Sequence, residues 1–127
     1  RLEQEIVGTA KAFARTRALD ALLLESNHDV RMLESGPYPY YLKQRILGTE
    51  GHLCNEDAAA FAVTLAEQGA GEIVLAHLSK DNNTPAMALN AVSAALSAAG
   101  LSPVLTVAPR DTVGPCHTVI RRAVCKK

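Results

Sequence analysis

A chain of 127 residues, 48% of them hydrophobic and 20% charged, is long enough for a single domain with a buried core. No apolar run approaches the roughly 18 residues of a membrane-spanning helix, and no signal-peptide pattern is present, so we expect a cytoplasmic protein with no membrane partner. Three cysteines without Cys-x-x-Cys spacing argue against a thiolate zinc site and favour free thiols.

The formal net charge is zero, but the charges are unevenly distributed. Residues 1–109 hold 8 Lys/Arg and 12 Asp/Glu, whereas residues 110–127 hold 5 Lys/Arg and 1 Asp. We therefore divide the chain into a folded part, residues 1–109, and a basic, irregular tail, residues 110–127. A basic tail could contact nucleic acid, and it could equally be a solvated terminus.

The first half of the chain predicts a helix, a strand and two further helices. Apolar residues recur at helical spacing over residues 2–16. The short apolar run Leu19–Leu24 predicts a buried strand that ends at Glu25. Asp29 is suited to cap a short helix that ends near Gly36, and residues 40–47 predict the next helix.

The second half predicts two helices that alternate with two strands. Asn55 is expected to cap a helix that runs to about Gln68, with Cys54 as a small packing residue before it. Residues 73–76 predict the second strand. Thr84, followed by a proline, predicts the start of a helix that ends near residue 100, and residues 104–107 predict the third strand. Strands that alternate with helices indicate an α/β fold class.

Several polar residues that could bind a ligand follow the second predicted strand. His77 could bind a metal ion there, because the strand fixes its backbone, or it could be a buried histidine bonded to a carbonyl group. Ser79 could donate to a phosphate oxygen or cap the turn. Asn82 and Asn83 could bind an anionic substrate, although adjacent asparagines commonly form turns.

Two earlier clusters also contain residues suited to chemistry. His52 precedes a predicted helix start and could pass a proton to a phosphate or its leaving group, or it could be a solvent-exposed loop residue. Glu25 could hydrogen-bond a histidine and raise its basicity, or it could pair with Lys43 or Arg45. His28 could be a ligand. One histidine in a metal-like setting cannot by itself form a catalytic metal site, which needs about three protein ligands.

Taken together, three stretches resemble part of a known family. They are residues 23–29 (LLESNHD), 51–59 (GHLCNEDAA) and 75–85 (LAHLSKDNNTP). Their order along the chain is similar to that in the C-terminal half of metallo-β-lactamase-fold hydrolases. Their amino-acid residues are similar to those of the YycJ/WalJ-like branch, which is related to ribonuclease Z. The resemblance covers roughly residues 5–108. It implies that residues 1–109 form half of an αββα sandwich, with three main strands and flanking helices.

The resemblance also implies a chemistry. Family members bind two divalent metal ions, zinc or manganese, and use a metal-activated water to cleave a phosphodiester. On the matching positions, His77 is implied to be a metal ligand, while Glu25 and His52 are implied to form a catalytic pair that assists proton transfer to the leaving group. Ser79 is implied to lie near the scissile phosphate. His28 and Asn82 match family positions to which the resemblance assigns no role, and we place them with Ser79 as substrate-binding candidates. For this branch the implied substrate is DNA, cut by a 5′-to-3′ exonuclease.

Two departures from the family pattern shape these expectations. Position 54 is cysteine where the branch usually has serine. The His-x-His-x-Asp-His and Asp-Leu-Gly segments, which supply most metal ligands in the family, do not occur in these 127 residues. We therefore expect most ligands of the two ions to come from a missing N-terminal half. The chain alone should bind metal poorly, leave DNA intact and expose an apolar face that allows self-association.

Two other functions remain open at this point. One is a non-catalytic α/β half-domain with a binding or structural role. The other keeps the fold and changes the substrate, giving an RNA-directed or small-ester hydrolase, because fold alone does not decide the substrate.

Overall fold

A computed structural model of the protein describes residues 19–48 and 50–119, which form a small α/β structure. The helix expected over residues 2–16 lies outside these ranges. Within them are three strands and four helices, in the order β1 (Ala21–Glu25), α1 (Val30–Ser35), α2 (Tyr40–Leu47), α3 (Asn55–Glu67), β2 (Glu72–Ala76), α4 (Pro85–Ala98) and β3 (Val104–Val107). The predicted fold class and all three predicted strands are confirmed.

The three strands form one parallel sheet in the order β1-β2-β3. In its register, Glu25 at the end of β1 faces Ala76 at the end of β2. Because the strands are parallel, their carboxyl ends lie at the same edge of the sheet, where open α/β sheets collect ligands. This pairing brings Glu25 next to the residue that follows β2, which is His77.

The hydrophobic core lies between one face of the sheet and helices α3 and α4. Alanine is frequent on the inner sides of both helices, and small side chains allow the two helices to lie close to each other and to the sheet. The buried members of the core include Leu24, Ala58, Ala62, Ile73, Leu75, Ala88, Val92 and Leu96. On the other face of the sheet, Leu23 is 68% exposed and Val104 is 57% exposed. Self-association through this face stays a prediction.

The helix starts are largely those that the sequence predicts. The side chain of Asp29 accepts a hydrogen bond from the backbone N–H of Met32, and Thr84 caps α4 in the same way. The prediction that Asn55 caps α3 is wrong. The capping residue is Cys54, whose Sγ accepts from the N–H of Asp57 at 3.5 Å, and Asn55 is the first residue inside the helix.

Residues 108–119 contain neither helix nor strand, and two of their side chains contact the sheet region. His117 Nδ1 lies 2.8 Å from Glu72 Oε2 at the start of β2. Arg110 donates from Nη2 to the carbonyl oxygen of Leu78 at 3.2 Å. Among the described residues, no helix has the length and apolar character needed to cross a membrane.

Candidate functional site

The carboxylate of Glu25 lies between two imidazole rings at the carboxyl edge of the sheet. Its Oε2 is 3.0 Å from Nδ1 of His52 and also accepts a hydrogen bond from Nδ1 of His77. The two ring centroids are 5.2 Å apart and the rings are tilted by 56°. The structure thus brings together three residues that the sequence analysis selected from separate clusters. We call them the Glu25–His52–His77 cluster.

The backbone at His77 adopts an unusual conformation that other residues hold in place. Its φ is 57°, in the left-handed region that residues other than glycine seldom occupy. The side-chain amide of Asn27 donates to the carbonyl oxygen of His77 at 2.9 Å, and the N–H of Ser26 donates to that of Ala76 at 3.0 Å. These two bonds tie the end of β2 to the residues after β1. The conformation turns the chain at His77 as it leaves the strand, and strained backbone of this kind occurs often at functional sites.

The Glu25 carboxyl favours its charged form. Burial raises its pKa, but hydrogen bonds from the Leu53 N–H and from the two imidazoles outweigh burial and hold the pKa below its ordinary value of 4.5. The Leu53 N–H lies 2.8 Å from Oε1, so each carboxylate oxygen has its own donors. A charged Glu25 fixes both histidines with Nδ1 protonated toward it and leaves Nε2 as the nitrogen through which each ring can bind.

A buried network of polar side chains joins the segments that carry the cluster. Ser26 Oγ donates to Asn55 Oδ1 at 2.6 Å, Asn55 Nδ2 donates to Asn83 Oδ1 at 2.9 Å, and Asn83 Nδ2 donates to the backbone oxygen of Ser26 at 2.9 Å. These bonds connect the loop after β1, the start of α3 and the start of α4. The sequence places Ser26 and Asn55 in the polar clusters near the site and offers Asn83 as an anion-binding or turn residue, but it does not predict that the three bond to one another. The available signal was that each is a polar residue beside a predicted strand end or helix start.

A cavity of about 500 Å³ opens in front of the cluster. It is lined by Asn27, Tyr38, Leu42, Arg45, Ile46, Glu50, Gly51, His52, His77, Leu78 and Ser79. Ser79 lies on the cavity wall, and its Oγ accepts a hydrogen bond from the N–H of Asn82 at 3.2 Å, so it also caps the turn. Arg45 places a positive charge on the same wall. Glu50 lines the cavity as well and offsets this charge. The guanidinium, the hydroxyl group and the imidazole N–H groups are the donors that the cavity offers to a phosphate oxygen.

His28 and Asn82 are buried behind the cavity and do not line it. Each is about 1% exposed. His28 Nδ1 is 3.2 Å from Asn27 Oδ1, and burial, followed by the nearby His52, lowers its pKa from 6.5. The Oδ1 atom of Asn82 is buried and has no hydrogen-bond partner among the described residues. In this structure the two side chains adjoin the residues that form the cavity wall, Asn27 and Ser79.

The cluster has the donor atoms of a metal site. One ligand atom from each of Glu25, His52 and His77 can be chosen so that all three lie within 4.8 Å of one another. Two imidazoles and a carboxylate suit zinc and also accept manganese. In the hydrogen-bonded arrangement, the free Nε2 atoms are the ligand atoms that fit a divalent metal ion, and Glu25 is the carboxylate that orients the rings. A parallel sheet whose carboxyl edge carries such a group beside a cavity defines a candidate metal- and ligand-binding site of an α/β protein.

The chain is similar in sequence to proteins that are named as nucleases. It is 45% identical to Exodeoxyribonuclease YycJ of Bacillus anthracis over 84 residues, which cover 66% of this chain and 32% of that protein. It is 48% identical to Exodeoxyribonuclease WalJ of Streptococcus pneumoniae, strains D39 and R6, over 69 residues, which cover 54% of this chain and 26% of those proteins. No family model matches the chain, and no solved structure does.

These relatives confirm the resemblance to the YycJ/WalJ-like branch that the sequence predicts. The matched part of the chain spans about a third or less of the length of each relative.

Proposed function

We propose that this chain supplies one side of the active site of a metal-dependent phosphodiester hydrolase that acts on DNA as a 5′-to-3′ exonuclease. The observation that carries the proposal is the Glu25–His52–His77 cluster beside a cavity at the carboxyl edge of a parallel sheet. The printed names of the relatives, exodeoxyribonucleases, support a nuclease activity and DNA as the substrate.

In this proposal His77 binds a metal ion through Nε2, because Nδ1 is hydrogen-bonded to Glu25. The bound metal supplies Lewis acidity and stabilises charge on the phosphate. Two ions, zinc or manganese, are proposed, and most of their ligands come from residues outside this chain. Glu25 orients the ring and increases the electron density on its free nitrogen, as carboxylates commonly do for metal-bound histidines.

His52 is proposed to donate a proton to the leaving oxygen of the cleaved phosphodiester. Its Nδ1 is bonded to the Glu25 carboxylate, which holds the ring in place and leaves Nε2 to face a substrate. The Nε2–H group then carries the proton toward the cavity. Ser79, on the same wall, is proposed to donate its hydroxyl hydrogen to a phosphate oxygen of the substrate.

His28 and Asn82 are proposed to position this machinery. His28 is bonded to Asn27, which fixes the carbonyl group of His77, and Asn82 is bonded to Ser79. Because both are buried, their effect on the substrate passes through these neighbours.

The test is DNA hydrolysis by the intact protein that carries this chain, in forms with His77→Asn or His52→Asn. Asparagine is chosen at 77 because it tolerates a positive φ better than alanine does, so the turn is kept while the ring is lost. Each variant should lose at least about 100-fold in rate, since each removes a ligand or proton donor. The matched control is His117→Gln, whose imidazole pairs with Glu72 outside the cavity and whose loss should leave the rate unchanged.

The substrates are DNA strands that carry a label at either the 5′ or the 3′ end, with RNA of the same sequence as a third arm. A chelator should abolish hydrolysis, and added manganese or zinc should restore it. Release of short 5′-labelled products first indicates the proposed direction. Full activity of both histidine variants would refute the proposal and favour a non-catalytic half-domain, and faster cleavage of RNA would reassign the substrate.

A further inference from the structure

A second cavity, of about 670 Å³, shares His77 and Leu78 with the first. It is formed where β2 and β3 end and α4 begins. Two cationic residues, Lys80 and Arg110, line it together with apolar residues that include Val107 and Pro109. We call it the Lys80–Arg110 cleft. Neither the proposed mechanism nor the resemblance gives any role to these two cations.

Each of the two cations in this cleft is followed in the sequence by an acidic residue, Asp81 or Asp111. Within residues 19–48 and 50–119, neither Lys80 nor Arg110 forms an ion pair. Asp81, which follows Lys80, accepts a hydrogen bond from the hydroxyl group of Tyr38, a residue of the first cavity. Arg110 is anchored by one bond from Nη2 to the Leu78 oxygen, which leaves most of its five N–H groups for a ligand.

We propose that the Lys80–Arg110 cleft binds a backbone phosphate of the same DNA strand whose neighbouring phosphodiester lies at the Glu25–His52–His77 cluster. This inference rests on the proposed function of that cluster. The ammonium and guanidinium groups recognise the phosphate, and the apolar residues accommodate the sugar and base. Since both cavities include His77, a strand that occupies both passes over this residue.

Two features make a strand phosphate the favoured ligand. The cleft combines two cations with apolar walls, so it contacts the phosphate without reading the base, as positioning contacts to nucleic acids do. In addition, Arg110 is the first residue of the basic segment 110–127. This segment, which has an excess of Lys and Arg over Asp and Glu, therefore starts at the cleft.

The experiment measures how a fluorescein-labelled strand of twelve thymidine nucleotides binds to the 127-residue chain. Binding is detected as a rise in fluorescence anisotropy, and a chelator is present throughout. The dissociation constant is measured from 20 to 200 mM potassium chloride. A single-strand phosphate contact contributes about 0.7 to the slope of log affinity against log salt concentration. Lys80→Gln combined with Arg110→Gln should therefore reduce the slope by about 0.7 and weaken binding at low salt.

Two paired variants serve as controls. Lys80→Arg with Arg110→Lys keeps both charges and should keep the slope, which separates loss of charge from damage to the Leu78 contact. Arg31→Gln with Lys43→Gln removes two cations that line neither cavity and should also leave the slope unchanged.

The outcomes distinguish this inference from the proposed function. An unchanged slope in the Lys80/Arg110 double glutamine variant, or no salt-dependent binding by the unsubstituted chain, overturns the phosphate site whatever the histidine variants show. A reduced slope together with full hydrolysis by the His77→Asn protein supports the phosphate site and overturns the proposed function. Displacement of the strand by inorganic phosphate at equal ionic strength would identify a simple anion site and count against a strand contact.

Discussion

Replacement of Glu25 by glutamine tests the cluster directly, because it removes the charge and one acceptor while it keeps the size of the side chain. In the native structure Oε1 accepts from the Leu53 N–H, and Oε2 accepts from His52 and His77. A glutamine keeps one carbonyl oxygen for Leu53. Its NH₂ group is a donor, so the two bonds in which imidazole N–H groups donate to a carboxylate are lost. The rings can then bond the amide only in the Nε2–H tautomer, which no longer presents a free Nε2 to a metal ion.

The expected cost follows from the exposure of these groups. A hydrogen bond contributes about 0.5–1.5 kcal/mol to stability. The Glu25 side chain is 28% exposed and the two rings are 44% and 66% exposed, so the lower figure applies to each bond. Two lost bonds therefore lower the free energy of unfolding by about 1 kcal/mol at pH 7. Metal affinity should fall by about 10–100-fold, since the rings lose the group that orients them.

The pH dependence supplies the decisive check. Because the pKa of Glu25 is lowered in the folded chain, its contribution is present above its ordinary value of 4.5 and is lost as the pH falls through the folded pKa. The difference between the native chain and the glutamine variant should therefore be about 1 kcal/mol at pH 7 and close to zero once the carboxyl is protonated.

The measurement is urea denaturation followed by circular dichroism, at pH 7 and at successively lower pH. Glu72→Gln is the matched control, since Glu72 is a strand carboxylate with a single imidazole neighbour, and it should cost about half as much. A cost below about 0.3 kcal/mol at pH 7, or a cost that persists undiminished after protonation, would refute the reasoning.

Two further predictions concern buried groups around the site. Because burial lowers the pKa of His28 from 6.5, the unfolded chain takes up this proton first as the pH falls below 6.5, and the folded chain loses stability until the pH reaches the folded value. The free energy of unfolding of a His28→Gln variant, measured by denaturation from pH 8 to 5, should fall less with pH than that of the native chain. Parallel plots of unfolding free energy against pH for the two chains would contradict the prediction. Burial raises the pKa of Cys54 to about 12, so iodoacetamide at pH 8 should alkylate the exposed Cys116 at least about 100-fold faster, as followed by peptide mass spectrometry. Equal rates at the two cysteines would show that Cys54 is open to solvent and ionised.

Local signals in the sequence were sufficient for most of the secondary structure. The apolar run that ends at Glu25 predicts a strand, although the strand begins at Ala21 and includes Glu25 itself. Thr84 followed by proline predicts the start of α4, because both residues act on the backbone of the first turn. These features depend on interactions over three or four residues, which a sequence displays directly.

The cap of α3 shows where local signals fail. An asparagine before a helix is a strong capping residue when it acts locally. Here the amide of Asn55 is committed to Ser26 and Asn83, which are 29 and 28 residues away, and the cap passes to Cys54. The buried network has more bonds to gain than a single cap can offer, and its partners become visible only when the chain is folded.

The candidate site was partly predictable for a related reason. Polar residues that follow predicted strands meet at one edge once the strands are parallel, so Glu25 and His77 could be placed together from the sequence. The roles of Asn27 and Tyr38 were missed, because one acts through the backbone of His77 and the other lines the cavity from the loop before α2. His28 and Asn82 were selected by pattern, but burial, which pattern does not reveal, separates them from the cavity.

The parallel pairing of β1 with β2 also determines when the site can exist during folding. Glu25 meets His52 across 27 residues and His77 across 52, so no short segment of the chain holds even two of the three groups. Contacts of such long range form after local helices, because the chain entropy of a large loop must first be overcome. We expect the two imidazoles to come together only as the sheet closes. The appearance of the contact between the His52 and His77 rings, followed by NMR during refolding, would therefore report the closing of the sheet.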